Sequence, residues 1–231
     1  MTLINDKILY IANNDGERCV INNLELFSEF DRLLTSDNAP AAQIDSIIRQ
    51  AKFEQSPFSV LALQMSTPQS PVHHPEGNVW NHTVLVVDWA SAHKSYSSSP
   101  RVFMWAALLH DIGKPNTTKK RQGRITAYDH DRVGADLART LLKQVTNETD
   151  FLEAVVSLVR YHMQPLYVVK NLPFQDIDGM KAHTSAIEVA LLSYCDRLGR
   201  GSVDPRAEAQ AITTFLKKCN ERTDFKWLKQ V

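Results

Sequence analysis

The string Leu108-Leu109-His110-Asp111-Ile112-Gly113-Lys114-Pro115 sets an imidazole and a carboxylate side by side where an apolar run, Val102 to Leu109, ends. Neighbours on an α-helix diverge by about 100°, so such a pair does not normally share a ligand. Gly113 and Pro115 stop the helix here. The loop that follows can turn the last residue until one metal takes an imidazole nitrogen and a carboxylate oxygen from consecutive positions. Further candidate ligands are spread along the chain: His82, His130 in Tyr128-Asp129-His130-Asp131, His162 in Arg160-Tyr161-His162, and Asp196 after Leu191-Leu192-Ser193-Tyr194-Cys195. Asp196 stands among apolar residues, where a carboxylate is costly unless paired or bound to a cation. Three or four neutral imidazoles with two carboxylates make a mixed nitrogen and oxygen donor set. It argues against a calcium cage and suits Mn, Fe, Co, Ni or Zn better than Mg. A divalent ion so held lowers the pKa of bound water and polarises a phosphoryl oxygen. Asp111, with two oxygens, is the natural bridge if there are two ions.

Basic residues surround these ligands in sequence. Lys114 returns to the face of Asp111 if the helix runs one more turn. There it can neutralise charge on a phosphoryl group, or simply complement the helix C-terminus. Lys119, Lys120, Arg121 and Arg124 follow at once, as a phosphate-steering segment or a solvated loop. Arg197 and Arg200 flank Asp196 within reach of a phosphate, although Arg197 can instead brace a carboxylate from behind. His74 precedes His82 in a loop and is a candidate substrate contact; His73, His93 and His183 lack such context.

The elements that must position these residues read as helices. The periodicity predicts helices near 79–96, 101–111, 131–146, 149–162, 182–199 and 204–219, with Asp150 and Asp204 as N-caps and Pro205 at the first helical position. Pro165, Pro173 and Gly179 make 163–181 irregular in part, and 66–78 is a loop by composition. Ahead of these lie a β-hairpin around Asn13-Asn14-Asp15-Gly16 and helical stretches through Phe27 and Phe30, through Ile44 to Ile48, and over Phe58 to Met65. The division expected is a hairpin and helical cap over 1–70 and a catalytic helical domain over 71–231.

Composition narrows the function classes. Among 231 residues, 26 basic and 26 acidic side chains cancel, which excludes a global field for non-specific nucleic-acid or membrane binding but not a local basic patch. Cys19, Cys195 and Cys219 form no CxxC pair, so a disulfide framework or zinc–thiolate site is not expected, and a reducing compartment is the simpler reading. The longest apolar run is far shorter than the roughly 20 residues of a membrane span, and the start lacks a signal-peptide pattern. A cytoplasmic protein is expected.

In the order H…HD…H…H…D, with intervals of 28, 19, 32 and 34 residues, the ligands resemble those of the HD-domain superfamily of metal-dependent phosphohydrolases. The resemblance covers about 72–200 and implies an all-α fold. It assigns His82, His110, Asp111 and Asp196 to a four-ligand core, and His130 and His162 to a second metal of the binuclear branches. The string His74-Pro75-Glu76-Gly77-Asn78-Val79-Trp80-Asn81-His82-Thr83 is similar to the start of the HD domain attached to bacterial CCA-adding tRNA nucleotidyltransferases, and Asp196-Arg197-Leu198-Gly199-Arg200 to its end. The first 70 residues contain no Gly-Ser followed by a DxD pair, so nucleotidyltransferase activity is not carried over. The resemblance implies metal-assisted hydrolysis of a phosphomonoester or phosphodiester, on a phosphorylated small molecule or a nucleic-acid end. It also leaves open a di-iron oxygenase of the same fold, or a non-enzymatic nucleotide-binding module.

Overall fold

A computed structural model describes residues 9–12, 18–21, 23–50, 53, 56–201 and 203–229. Its elements are β1 (Leu9–Ala12), β2 (Arg18–Ile21), α1 (Asn23–Ser36), α2 (Ala41–Ile48), α3 (Ser59–Ala62), α4 (Val79–His93), α5 (Pro100–Leu109), α6 (Lys114–Thr117), β3 (Lys119–Arg121), β4 (Arg124–Thr126), α7 (His130–Leu142), α8 (Thr149–Tyr161), α9 (Gln164–Val169), α10 (Ile177–His183), α11 (Ala186–Leu198) and α12 (Pro205–Lys218). The fold is all-α, with two small antiparallel hairpins. β1 pairs with β2 in the register Leu9 to Ile21; the expected Asn13–Gly16 turn lies outside the described residues.

Helix α5 is the axis of the molecule. Phe103 to Leu109 are fully buried, as a helix apolar on every side must be, and α1, α4, α8 and α11 pack around it. Helix α1 buries Leu26, Phe27, Phe30, Leu33 and Leu34, one helical stripe. Its Phe27 ring stacks on Trp105 at 5.0 Å. Asp31 then accepts hydrogen bonds from Trp105 Nε1 and Arg101 Nε, each 2.8 Å. The core is continuous across residue 70, so α1 and α2 share it with the later helices.

Two glycines set the closest approaches that the site depends on. A methyl group at Gly113 would collide with the His130 carbonyl and lie 2.6 Å from the Gly134 nitrogen; the bare backbone lets the start of α7 rest on the His110-Asp111 turn. A methyl group at Gly199 would lie 2.6 Å from Val86 Cγ2 and 3.2 Å from Val86 N, so the end of α11 lies against α4.

Several boundaries differ from the sequence expectation. The helix predicted over 182–199 is two helices: Thr184 is extended, and Ser185 caps α11 by accepting from Ile187 N. Segment 163–181 holds α9, with Pro165 in its first turn, and the start of α10, capped by Asp176. Asp204 caps α12 as expected, with Pro205 at the first helical position. Asp150 sits inside the first turn of α8, and Glu148 holds the cap position. The basic segment after Lys114 is not a plain loop. It forms α6 and the β3–β4 hairpin, turned by Gln122 and Gly123 at φ 48° and 77°.

Candidate metal centre

The six expected ligands, drawn from α4, the end of α5, α7, the end of α8, and α11, converge on one buried cluster. Helices α7 and α8 run antiparallel, with Arg139 bonded to Glu153 at one end. His130 therefore opens one helix where His162 closes the other. Beside them Arg160 pairs with the buried Asp131 at 2.8 Å, locking the first turn of α7 to the last turn of α8. On the other side, His82 Nε2 lies 2.9 Å from Asp196 Oδ1.

Asp111 stands between the two halves. Its Oδ2 is 3.2 Å from His110 Nε2 and 3.9 Å from His82 Nε2, while its Oδ1 is 3.5 Å from His130 Nε2 and 3.9 Å from His162 Nε2. Lys114 Nζ makes an ion pair with Oδ2 at 2.6 Å and donates to Gln69 Oε1 at 2.6 Å.

Three histidines share one arrangement. His110 Nδ1 donates to Ala107 O at 2.8 Å, His130 Nδ1 to Ala127 O at 2.7 Å, and His162 Nδ1 to Val159 O at 2.7 Å. A carbonyl only accepts, so each Nδ1 carries the proton and each Nε2 faces the cluster. His82 differs: its Nδ1 lies 2.8 Å from Glu76 Oε1, an ion-pair distance without an aligned hydrogen bond. The same oxygen is 2.8 Å from His74 Nδ1.

Burial, reinforced by the neighbouring imidazoles, holds His162 down at about 4. Burial also lowers His130, against the pull of Asp111. Both rings are therefore neutral near pH 7. Their bare Nε2 atoms nevertheless face each other at 3.3 Å. His110 Nε2 is buried without an aligned hydrogen-bond partner among the described residues. For His110, burial lowers the pKa, but Asp111, Asp196 and the Ala107 carbonyl together raise it more, and the net shift is upward. Burial alone would raise the two aspartates. Lys114 and His110 instead hold Asp111 well below the usual carboxylate range, and Arg200 and His82 do the same for Asp196. Lone pairs facing lone pairs and carboxylates in a buried place call for a cation. The donor set fits a divalent metal. Two triads, His82-His110-Asp111 and Asp111-His130-His162, each have ligand atoms within 4.8 Å of one another.

The cluster floors a cavity of about 550 Å³, which Lys114, Arg200, His74 and Arg160 also line. Arg200 Nη2 is 3.6 Å from Asp196 Oδ1. His74 is buried on the cavity wall, where desolvation and the charge of Lys114 lower it to about 4. The other two expected substrate contacts, Arg197 and Lys119, do not line this cavity. Arg197 turns to Glu208 at 2.8 Å, an ion pair on the α12 side, and Lys119 is exposed on β3. His93 and His183 bond carbonyls of their own helices away from the cavity. Sequence reasoning missed Glu76 as a functional residue. The available signal was its place six residues before His82, in the quoted string. Burial raises its pKa, but the His82 imidazole, its own backbone N–H and the His74 imidazole outweigh that and bring it to about 2.

Residues 79–201 match the HD domain family. The chain belongs to the HD-domain family. HD domains bind divalent metals and form a superfamily of metal-dependent phosphohydrolases. The multifunctional CCA protein of Aromatoleum aromaticum is 30% identical over 152 residues, 62% of this chain and 35% of that protein. That of Actinobacillus pleuropneumoniae serotype 5b is 29% identical over 152 residues, 62% of this chain and 36% of that protein. The HD-domain chain thus spans about a third of the length of these curated relatives. Among the described residues no helix is long and apolar enough to cross a membrane.

Proposed function

We propose that this HD-domain chain hydrolyses a phosphomonoester or phosphodiester of a nucleotide or nucleic-acid end. The observation that carries the reading is the cluster of inward-facing Nε2 atoms and depressed carboxylates beneath a cavity that also holds Lys114 and Arg200. His82, His110, Asp111 and Asp196 would hold one divalent ion, and His130, His162 and the second oxygen of Asp111 would hold another. When bound, such ions supply a water of lowered pKa and polarise the phosphoryl oxygen.

The chain's own groups do the rest. Lys114 has three N–H donors; Gln69 takes one, and Asp111 lies beside the ammonium as an ion pair, leaving donor capacity for a phosphoryl oxygen whose negative charge grows in the transition state. Arg200 lies on the same wall with a second cationic donor. His74, neutral and anchored through Nδ1 to Glu76, keeps Nε2 as an acceptor for a substrate hydroxyl. In the net reaction water oxygen bonds to phosphorus, the ester P–O bond breaks, and a water proton ends on the leaving oxygen.

Hydrolysis of nucleotides to inorganic phosphate, and of 2′,3′-cyclic nucleotides and dinucleotides to nucleoside monophosphates, tests this. Chelation should abolish it and Mn²⁺, Co²⁺ or Ni²⁺ should restore it. Full activity after exhaustive metal removal would overturn the reading. Oxygen consumption with an organic substrate, without hydrolysis of a phosphoester, would favour an oxygenase instead.

A further inference from the structure

The β3–β4 hairpin carries Lys119, Lys120, Arg121 and Arg124, all exposed, and none pairs with an acid among the described residues. Its inner strand is part of the cavity wall, through Ile125 and Thr126. The ribbon therefore lies at the mouth, its cations outside and the phosphoryl site within. A free mononucleotide has no use for four cations beyond the reacting phosphate. A chain of phosphates does.

The same mouth carries aromatic rings. Tyr128, directly after the hairpin, is 71% exposed, and Phe174, from the segment between α9 and α10, is 55% exposed. Phe174 packs edge-on against Tyr167 at 5.6 Å, and all three rings line the cavity. Arg132 and Arg160 stand on this wall too. In sequence these rings are scattered. The fold gathers them beside the basic ribbon into the combination that holds unpaired bases and their backbone. A duplex keeps its base faces stacked and cannot use the rings.

We infer that the hairpin and the Tyr128–Phe174 wall form a landing site for single-stranded nucleic acid. The end of the strand enters the cavity, and the upstream phosphates lie along Lys119, Lys120, Arg121 and Arg124. This rests on the hydrolase reading for what happens to the strand end, but binding can be measured apart from it.

The probe is a fluorescein-labelled ten-nucleotide single-stranded RNA ending in a 3′-hydroxyl, bound to the full chain and followed by anisotropy. It should bind at least tenfold more tightly than the blunt duplex of the same sequence or a nucleoside monophosphate. The variant carrying Lys119→Gln, Lys120→Gln and Arg121→Gln should weaken binding about tenfold or more at ~0.1 M salt. It should also flatten the logarithmic salt dependence by about 2, since each phosphate contact on a single strand contributes roughly 0.7. Phe174→Ala or Tyr128→Ala should cost about tenfold without changing that slope. The proposal is overturned if single strand, duplex and mononucleotide bind alike, or if inorganic polyphosphate binds as tightly and neither ring matters. Strand binding without hydrolysis of any phosphomonoester or phosphodiester would overturn the hydrolase reading alone.

Discussion

Glu76 gives the sharpest test of how the centre is built. One carboxylate oxygen lies 2.8 Å from both His82 Nδ1 and His74 Nδ1. A hydrogen bond to a charged partner contributes about 1.5–3 kcal/mol, and one to a neutral partner about 0.5–1.5. Glu76→Gln keeps an acceptor and loses the charge, so the orientation of His82 weakens by about 1–1.5 kcal/mol, or roughly tenfold in metal affinity. Glu76→Ala removes the carboxylate from beside buried His82 Nδ1 altogether, and the loss should approach a hundredfold. His74→Ala removes the other donor but leaves the Glu76–His82 contact, so metal affinity should stay within a few-fold while substrate KM rises. Metal titration into the apoprotein, by calorimetry or chelator competition, reads the three values, and circular dichroism checks the helices. Parental metal affinity in both Glu76 variants, or a loss in His74→Ala as large as in Glu76→Ala, would refute the reasoning.

Lys114→Ala should lower turnover on the order of 10²–10³-fold with metal content unchanged; turnover within a few-fold of the parent would leave Lys114 only an ion-pair partner of Asp111. His130→Ala or His162→Ala should reduce bound metal from about two per chain toward one by elemental analysis, whereas a single metal in the parent and in both variants would remove the second site. The apoprotein should lose thermal stability as pH falls from 6.5 toward 4. The unfolded chain then binds the proton that buried His162, held at about 4, refuses. Glu76 adds to the loss as pH falls from 4.5 toward 2. His110, shifted upward, acts in the opposite sense and loses its contribution as pH rises through its folded value. A flat melting temperature between pH 6.5 and 4 would contradict the burial argument. Gly113→Ala should destabilise the chain by about 1–3 kcal/mol in denaturant melts and reduce metal content, because the added methyl displaces the His130 carbonyl.

The candidate cluster was legible because its chemistry is unusual wherever it falls. A carboxylate following Cys195 and an imidazole closing an apolar helix are hard to explain otherwise, and the six residues meet. The helices were legible from their stripes, α1 and α5 above all. Residues whose direction depends on a distant partner were not. Arg197 could face a phosphate or a carboxylate, and the choice was made by Glu208 on α12, eleven residues away. The second hairpin was hidden because Gln122 before Gly123 is a weaker turn signal than Asn or Asp. The break before α11 turned on Ser185 acting as a cap inside a stretch whose apolar period continues. Glu76 reads as a surface loop acid until two imidazoles are seen to share it.

Three of the imidazoles hang from main-chain oxygens, those of Ala107, Ala127 and Val159. Every amino acid has that oxygen. Two of these positions are alanine already, so an alanine scan does not reach them, although Ala107 and Val159 are fully buried and larger side chains there would still disturb the packing. What the positions transmit is helix length and phase. One residue inserted into α5 or α8 would swing His110 or His162 by about 100° around its axis, although every ligand was still present in the chain. In this site it is the main chain, more than any side chain beside the rings, that carries their aim.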